Sequence, residues 1–288
     1  MEGRRWAEEA LAAEPGMPAS ARATLLFVAA TLGQALSDFE GVRAMNDESM
    51  EIYRALGDKV GFYYAMGTAG LIAVGLGRHA EGLSMMEESG ERRLEMGDKW
   101  PAAAMFGFSA TVALGMGDRD RARRLAERSL ALGREIGARE AVSVALPTLA
   151  AIARADGDHD RARELFGEGL LFSAEVGDGT NVAYYLEGLA ALAASEGEPK
   201  RAARLWGTAE AILGRIEVIA YPHAADRSSN DRQLASARES LDGRAWEEAW
   251  SEGRAMTTEE AVAHALEHSR EPDPMTREPG GRGAARNR

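Results

Sequence analysis

Glycine recurs along this chain at a fixed interval. Gly57, Gly97, Gly137 and Gly177 are evenly spaced, each after an apolar residue, Leu56, Met96, Ile136 or Val176. A second set, Gly77, Gly117, Gly157 and Gly197, keeps the same step, with Ser37 where a first member would fall. The second set falls midway between members of the first, so each period holds two segments divided by glycine. Glycine accepts the left-handed backbone that closes a helix, and an acid directly after it, as at Asp118, Asp158 and Glu198, caps the next one. A chain punctuated in this way is constrained to a stack of short, equal helices.

The segments between the glycines are rich in Ala, Leu, Arg and Glu, which are strong helix formers. From Asp118 to Gly133, Ala122, Leu125, Ala126, Ser129 and Leu130 fall on one helical face, while Arg121, Arg124, Glu127 and Arg128 take the other. Each repeat therefore reads as a helix A, a tight turn and a helix B, and the fold class as all-α.

Aligned on the turn glycine, the repeats resemble the tetratricopeptide (TPR) pattern of large and small packing positions. The small residue of helix A falls on Gly70, Ala110, Ala150 and Ala190, and the alanine of helix B on Gly82, Ala122, Ala162 and Ala202. Four residues later comes the bulky position, Met86, Ala126, Phe166 and Trp206, and three further on the small one, Ser89, Ser129, Gly169 and Ala209. Ala126 departs from the pattern, and the step exceeds the family's usual period of about 34. The resemblance implies a TPR-like right-handed α-solenoid of 40-residue helix–turn–helix repeats with a C-terminal helical cap. A first repeat is degenerate, with Val42 and Asn46 at its alanine and aromatic positions. Trp6 stands five periods before Trp206, so the chain reads as starting inside a repeat. The expected organisation is a partial repeat of helix B alone over 1–16, five repeats over 17–216, capping helices over 217–269 and a disordered tail over 270–288.

In that cap, Tyr221-Pro222-His223 reads as a loop, Arg232 to Leu241 as a helix, and Ala245 to Trp250 as the start of another. Thr257 and Glu260 have the spacing of a capping box, opening a helix that carries Ala261, Val262, Ala265 and Leu266. Beyond Glu271, Pro, Gly and Arg dominate, the composition of a disordered segment.

The run Arg201-Ala202-Ala203-Arg204-Leu205-Trp206-Gly207-Thr208-Ala209-Glu210-Ala211, with the later Ala249-Trp250-Ser251-Glu252-Gly253-Arg254-Ala255-Met256-Thr257, carries a second resemblance. It is similar to the closing segment of the TPR sensor region in actinobacterial LuxR-family and AfsR-like regulators, where a STAND-class ATPase precedes that sensor. The likeness spans roughly residues 1 to 268 and lapses around Glu217 to Asn230. It implies a sensor region without the ATPase and DNA-binding domains: no G-x-x-x-x-G-K-[ST] phosphate loop occurs, and none of Lys59, Lys99 and Lys200 follows a glycine.

Other chemistries find little support. A net charge of −12 repels a phosphate backbone, although five arginines oppose three acids from Arg270 to Arg288. Cysteine is absent, which removes disulfides and thiolate sites together. No apolar run reaches the length of a membrane span or resembles a secretory leader, and a cytoplasmic location is the default expectation. His264 and His268 fit H-x-x-E-H, a zinc-hydrolase spacing, but at the end of the last expected helix they read as solvated histidines beside its C-terminal dipole. Gly107-Phe108-Ser109-Ala110-Thr111 lacks the last glycine of a nucleophile elbow. Glu81, Glu87, Glu88, Glu91 and Glu95 read as a solvated outer face with partners such as Arg92.

The resemblance to TPR proteins instead directs attention to the helix-A positions of the concave face. Thr31 and Gln34, Tyr64 and Leu71, Thr111, Arg154, and Tyr184 and Glu187 are the ligand-groove candidates, with Arg154 and Glu187 as charged anchors. The two tyrosines either wall this groove or pack between helices. Pro147 lies inside a helix A and should kink it, re-aiming Arg154. The expectation is a non-catalytic binding or sensor module with no cofactor and no metal. Its partner would be a protein, a peptide or a small ligand, or an ATPase/DNA-binding regulator acting in trans, without direct nucleic-acid or membrane binding. The alternative is a structural unit that forms homo-oligomers through its truncated N-terminal helix face.

Overall fold

The computed structural model describes residues 2–14, 16–216 and 224–267, with the side chains of 224–229 left aside. The expected loop at 221–223, the tail after 270 and His268 lie outside the described residues. The chain is all-α and forms a TPR-like solenoid of sequential antiparallel helices. The helix order opens with α1 (Glu2–Ala13), α2 (Ala19–Ala35), α3 (Phe39–Leu56), α4 (Lys59–Gly75) and α5 (His79–Glu95). It continues through α6 (Lys99–Gly115), α7 (Arg119–Glu135), α8 (Arg139–Ala155), α9 (His159–Glu175), α10 (Gly179–Ser195) and α11 (Pro199–Leu213). The last three helices are α12 (Ala224–Glu239), α13 (Gly243–Ala255) and α14 (Thr258–Leu266).

The turns are where the sequence clock becomes geometry. All eight periodic glycines adopt positive φ, between 68° and 82°, and Ser37, at 63°, is the one non-glycine among the described residues to do so. Each closes its helix with the paired bonds of a Schellman motif, as in Gly57 N–H to Arg54 O and Asp58 N–H to Tyr53 O. The next residue is already the N-cap of the following helix: the Asp58, Asp118, Asp158 and Asp178 carboxylates accept from the backbone N–H three residues on. Glu198 departs from the expectation, since it precedes α11 without forming a side-chain cap. Stop and start thus share two residues, and the helices from α4 to α10 are all 17 residues long.

Small residues form the seams between helices. Ala110, Ala150 and Ala190 of the A helices and Ala122, Ala162 and Ala202 of the B helices are buried, as are Met86, Phe166 and Trp206 at the bulky position. The seam also carries a polar ladder: Ser49, Ser89 and Ser129 of successive B helices donate to the Ala23, Tyr63 and Ala103 carbonyls of their own A helices at 2.7–2.8 Å. Gly169 replaces the serine in the next repeat, and the matching carbonyl, Ser143 O, has also lost its helical donor because residue 147 is proline. The Tyr185 hydroxyl supplies that bond from the following helix, at 3.5 Å. A Cβ at Gly169 would lie 2.1–2.6 Å from the Tyr185 ring, so the glycine is what admits it. Helix α8 runs unbroken through Pro147.

At the C-terminal end, α11 and α13 interlock. A Cβ at Gly253 would meet Arg204 O at 2.0 Å, one at Gly207 would meet Trp250 O at 2.4 Å, and Thr208 Oγ1 donates to Gly253 O at 2.7 Å. Trp206, Trp246 and Trp250 stack alongside. The Thr257–Glu260 capping box forms, with both reciprocal bonds present, and α14 folds back onto α9 and α11. Helix α12 begins at Ala224, well before the Arg232 start read from sequence, and lies against α10 and α11.

Candidate functional site

The eight groove candidates are spread along five A helices. Thr31 and Gln34 lie on α2, Tyr64 and Leu71 on α4, Thr111 on α6, Arg154 on α8, and Tyr184 and Glu187 on α10. A cleft of about 270 Å³ between α7, α8 and α9, lined in part by Arg134, Arg139, Glu168 and Phe172, contains none of them. Another of about 560 Å³ between α9 and α14, around Leu171, Val262 and Leu266, likewise contains none.

At the N-terminal end of this face the A helices are open. Val28 is 37% and Phe108 39% exposed, and each lies three residues before a candidate hydroxyl, Thr31 or Thr111, on the same side of its helix. Val28 and Phe108 are two periods apart, whereas Thr68 and Thr148, at the equivalent places, are buried. The Thr31 hydroxyl is buried without a hydrogen-bond partner. That of Thr111 lies 3.3 Å from Thr148 Oγ1 and 3.4 Å from Gly107 O. Gln34 and Leu71 are half-buried.

Tyr64 belongs to a charged constellation that sequence reasoning missed. Its ring meets Phe27 edge-on at 6.3 Å, the Arg93 guanidinium lies 3.9 Å from its centroid, and its hydroxyl donates to Asp98 Oδ2 at 2.7 Å. Burial, with the Asp98 carboxylate adding to it, raises the Tyr64 phenol above its ordinary pKa. Asp98 is the residue that would cap α6, but the third residue of that helix is Pro101, which has no N–H to give, so no side-chain cap forms. Arg93 is only 4% exposed, donates to Tyr63 O at 3.2 Å and has a buried Nε without a partner. Desolvation lowers its pKa, with the Tyr64 and Asp98 charges opposing that shift. The signal was available in the sequence: an arginine where other repeats carry Tyr53, Gly133 or Ser173, and a proline where they supply an N-cap donor.

At the other end the face is covered. Tyr184 is 1% exposed, its ring packs against Phe166 and Tyr185, and its hydroxyl lies 3.4 Å from Pro147 O. Of the two roles left open for it, packing between helices is the one it has, with Phe166 of α9 against its ring and Pro147 of α8 beside its hydroxyl. The Arg154 Nη1 donates to Asn230 Oδ1 and Gln233 Oε1, both at 2.9 Å, so α12 rests on this part of the face. Glu187 is half-buried on the neighbouring helix.

Among the described residues no group of three His, Asp or Glu side chains is placed to hold an ion. His264 sits on α14 with Nδ1 3.3 Å from Glu267 Oε2 and its Nε2 buried without a partner, and burial lowers its pKa. Among the same residues no helix is long and apolar enough to cross a membrane.

No protein-family model matches the chain, and no curated protein matches it. Among solved structures it is similar to the crystal structure of BtubC (BKLC) from P. vanneervenii, at a TM-score of 0.55 and 16% identity. That likeness covers 82% of this chain and 88% of the other. At such identity it is a likeness of fold alone, and it agrees with the stack of paired helices described above: a TPR-like all-α solenoid.

Proposed function

We propose that this chain is a non-catalytic binding module that takes a protein or peptide along the A-helix face of α2, α4 and α6. The observation that carries the reading is the contrast along that face. Val28 and Phe108 stand open beside Thr31 and Thr111 at one end, while α12 covers the other. A TPR-like scaffold is usually a protein-binding one, and exposed apolar side chains such as Val28 and Phe108 are what the apolar anchors of a peptide require. The resemblance to the sensor arm of LuxR-family and AfsR-like regulators supports a partner of that regulatory kind acting in trans. On this reading α1 is the B helix of a partial repeat, α2 to α11 form five repeats, and α12 to α14 form the cap.

Selection of a peptide library on the full chain tests the proposal. Selected peptides should lose about tenfold or more in affinity, at least about 1.4 kcal/mol, with Phe108→Glu or Thr111→Arg, and keep it with the exposed Arg124→Glu on α7. Peptides indifferent to both groove variants, or no selected peptides at all, would refute it. A second reading, self-association, is favoured by one specific feature: Trp6 is 58% exposed on α1, whereas Trp206 five periods on is buried. A concentration-dependent dimer in sedimentation that Trp6→Glu abolishes would establish it, and a monomer at all concentrations would exclude it.

A further inference from the structure

We propose that the cleft between α7, α8 and α9 is a binding site for a small, uncharged aromatic molecule of one or two fused rings. It lies between two successive B helices, over the A helix that separates them in sequence, and contains none of the residues offered for peptide binding.

Gly133, Val142, Leu146 and Phe172 line the cleft with apolar surface and bare backbone. A Cβ on Gly133 would stand 3.0 Å from Val142 N, so the glycine lets α8 approach α7 closely. A Cβ on Gly137 would meet nothing within 4 Å, so the turn beside the cleft leaves it open. Earlier repeats carry larger groups of their own at the matching places. Phe62 stands two periods before Val142, Phe106 one period before Leu146, and Tyr53 and Arg93 precede Gly133 by two periods and by one. The Phe62 ring lies 4.9 Å from the Arg54 guanidinium, and the fully buried Phe106 ring 4.1 Å from that of Arg128. Between α7 and α9 those rings and long side chains give way to Val, Leu and Gly, and a cleft of about 270 Å³ stands in their place.

Size, ring chemistry and charge then set the ligand. Drug-sized molecules occupy pockets of about 300 Å³ or more, so a cleft just below that takes one or two rings. Phe172 supplies an aromatic wall, with the Arg139 guanidinium 5.1 Å from its centroid. A ring entering beside it rebuilds the aromatic and guanidinium packing that the earlier repeats make from their own side chains. The charges at the edge are already matched: Arg134 Nη2 donates to Glu168 Oε2 at 2.8 Å, and Arg139 donates from both terminal nitrogens to the two Glu175 oxygens at 2.8 and 2.6 Å. A charged ligand gains a partner there only by breaking one of these pairs, so the neutral ring is favoured. The same pairs cross from α7 and α8 to α9 beside the cleft, and a compact molecule fits between them where a polypeptide would have to lie over them.

Indole titrated into the full chain, followed by NMR through the Leu146 methyl resonances, tests this. Saturable shifts at millimolar concentration or below are expected, with cyclohexanol, which has no π face, at least about tenfold weaker. Benzoate and benzylammonium should bind no more tightly than indole. V142F, which introduces the ring that the chain carries two periods earlier, should abolish indole binding. F172L keeps apolar bulk but removes the aromatic wall; it should weaken indole about fivefold and leave cyclohexanol unchanged. Circular dichroism melts check the folding of each variant, and F172L, at a half-buried position, gives the answer if V142F fails to fold. Leu146 methyls that do not respond to indole, indole binding indifferent to F172L, or cyclohexanol binding as tightly as indole overturns the proposal. A short peptide with one tryptophan between glycines that binds at least about tenfold tighter than indole would assign the cleft to a partner's side chain, and overturns it too.

Discussion

Replacing Tyr185 by Phe tests how this solenoid repairs its own irregularities. The substitution keeps the ring over Gly169 and removes only the hydroxyl that reaches Ser143 O. That carbonyl has no helical donor because residue 147 is proline, and no serine donor because residue 169 is glycine. A fully buried orphaned carbonyl costs about 1–3 kcal/mol, and a part-buried one with a bond of 3.5 Å between neutral groups belongs at the low end, about 1 kcal/mol. At roughly 2–4 °C per kcal/mol for a chain of this size, the thermal midpoint should fall by a few degrees. The sharper measurement is the cycle with Pro147→Ala, which restores an N–H four residues after Ser143. In that background Tyr185→Phe should cost no more than a few tenths of a kcal/mol, leaving a coupling of somewhat under about 1 kcal/mol. Circular dichroism melts of the four proteins supply all terms. Equal losses in both backgrounds would show that the hydroxyl is not substituting for the missing donor.

Three further outcomes follow from other parts of the stack. Gly253→Ala would force a methyl group to within 2.0 Å of Arg204 O, so α11 and α13 must separate; we expect a loss of about 3 kcal/mol, near the upper end for overpacking, and a red shift of the Trp206–Trp246–Trp250 fluorescence. Asp118→Ala removes the carboxylate that accepts from Arg121 N–H and should cost about 1 kcal/mol, visible as faster exchange in the first turn of α7. Burial depresses the pKa of His264 below its ordinary 6.5, so the folded state favours the neutral ring. Its stabilisation is complete above that value and declines as pH falls through it toward the lowered folded pKa, so the protection of α14 amides relative to their intrinsic exchange rates should be lower at about pH 5.5 than at about pH 7.5, a difference that His264→Gln should remove.

What was legible in the sequence is what repeats. A left-handed turn needs glycine at one position, so the helix ends from Gly57 to Gly197 could be read residue by residue, and the acid at the next position marked the caps at Asp58, Asp118, Asp158 and Asp178. The seam alanines were legible for the same reason, since close helix approach tolerates little else. The candidate site is another matter, because it lies where the pattern is broken. Pro101 frees Asp98 for Tyr64, and Pro147 with Gly169 recruits Tyr185; each involves partners on different helices whose meeting no local spacing announces. Tyr184 and Arg154 both lie on A helices, yet one is sealed between α8 and α9 while the other donates to α12. The composition of 232–241 marked a capping helix, but nothing in the polar run from Ala224 to Glu239 marks Arg154 as what it docks against.

The nine turns between α2 and α11 leave no slack residue between one helix and the next. A single inserted amino acid within any of these helices would rotate everything after it by about 100°, carrying a buried seam into water. A duplication or excision of one whole helix–turn–helix module preserves every register. Molecules of this architecture are therefore free to change length only in quanta, and each quantum adds or removes one complete step of the A-helix face.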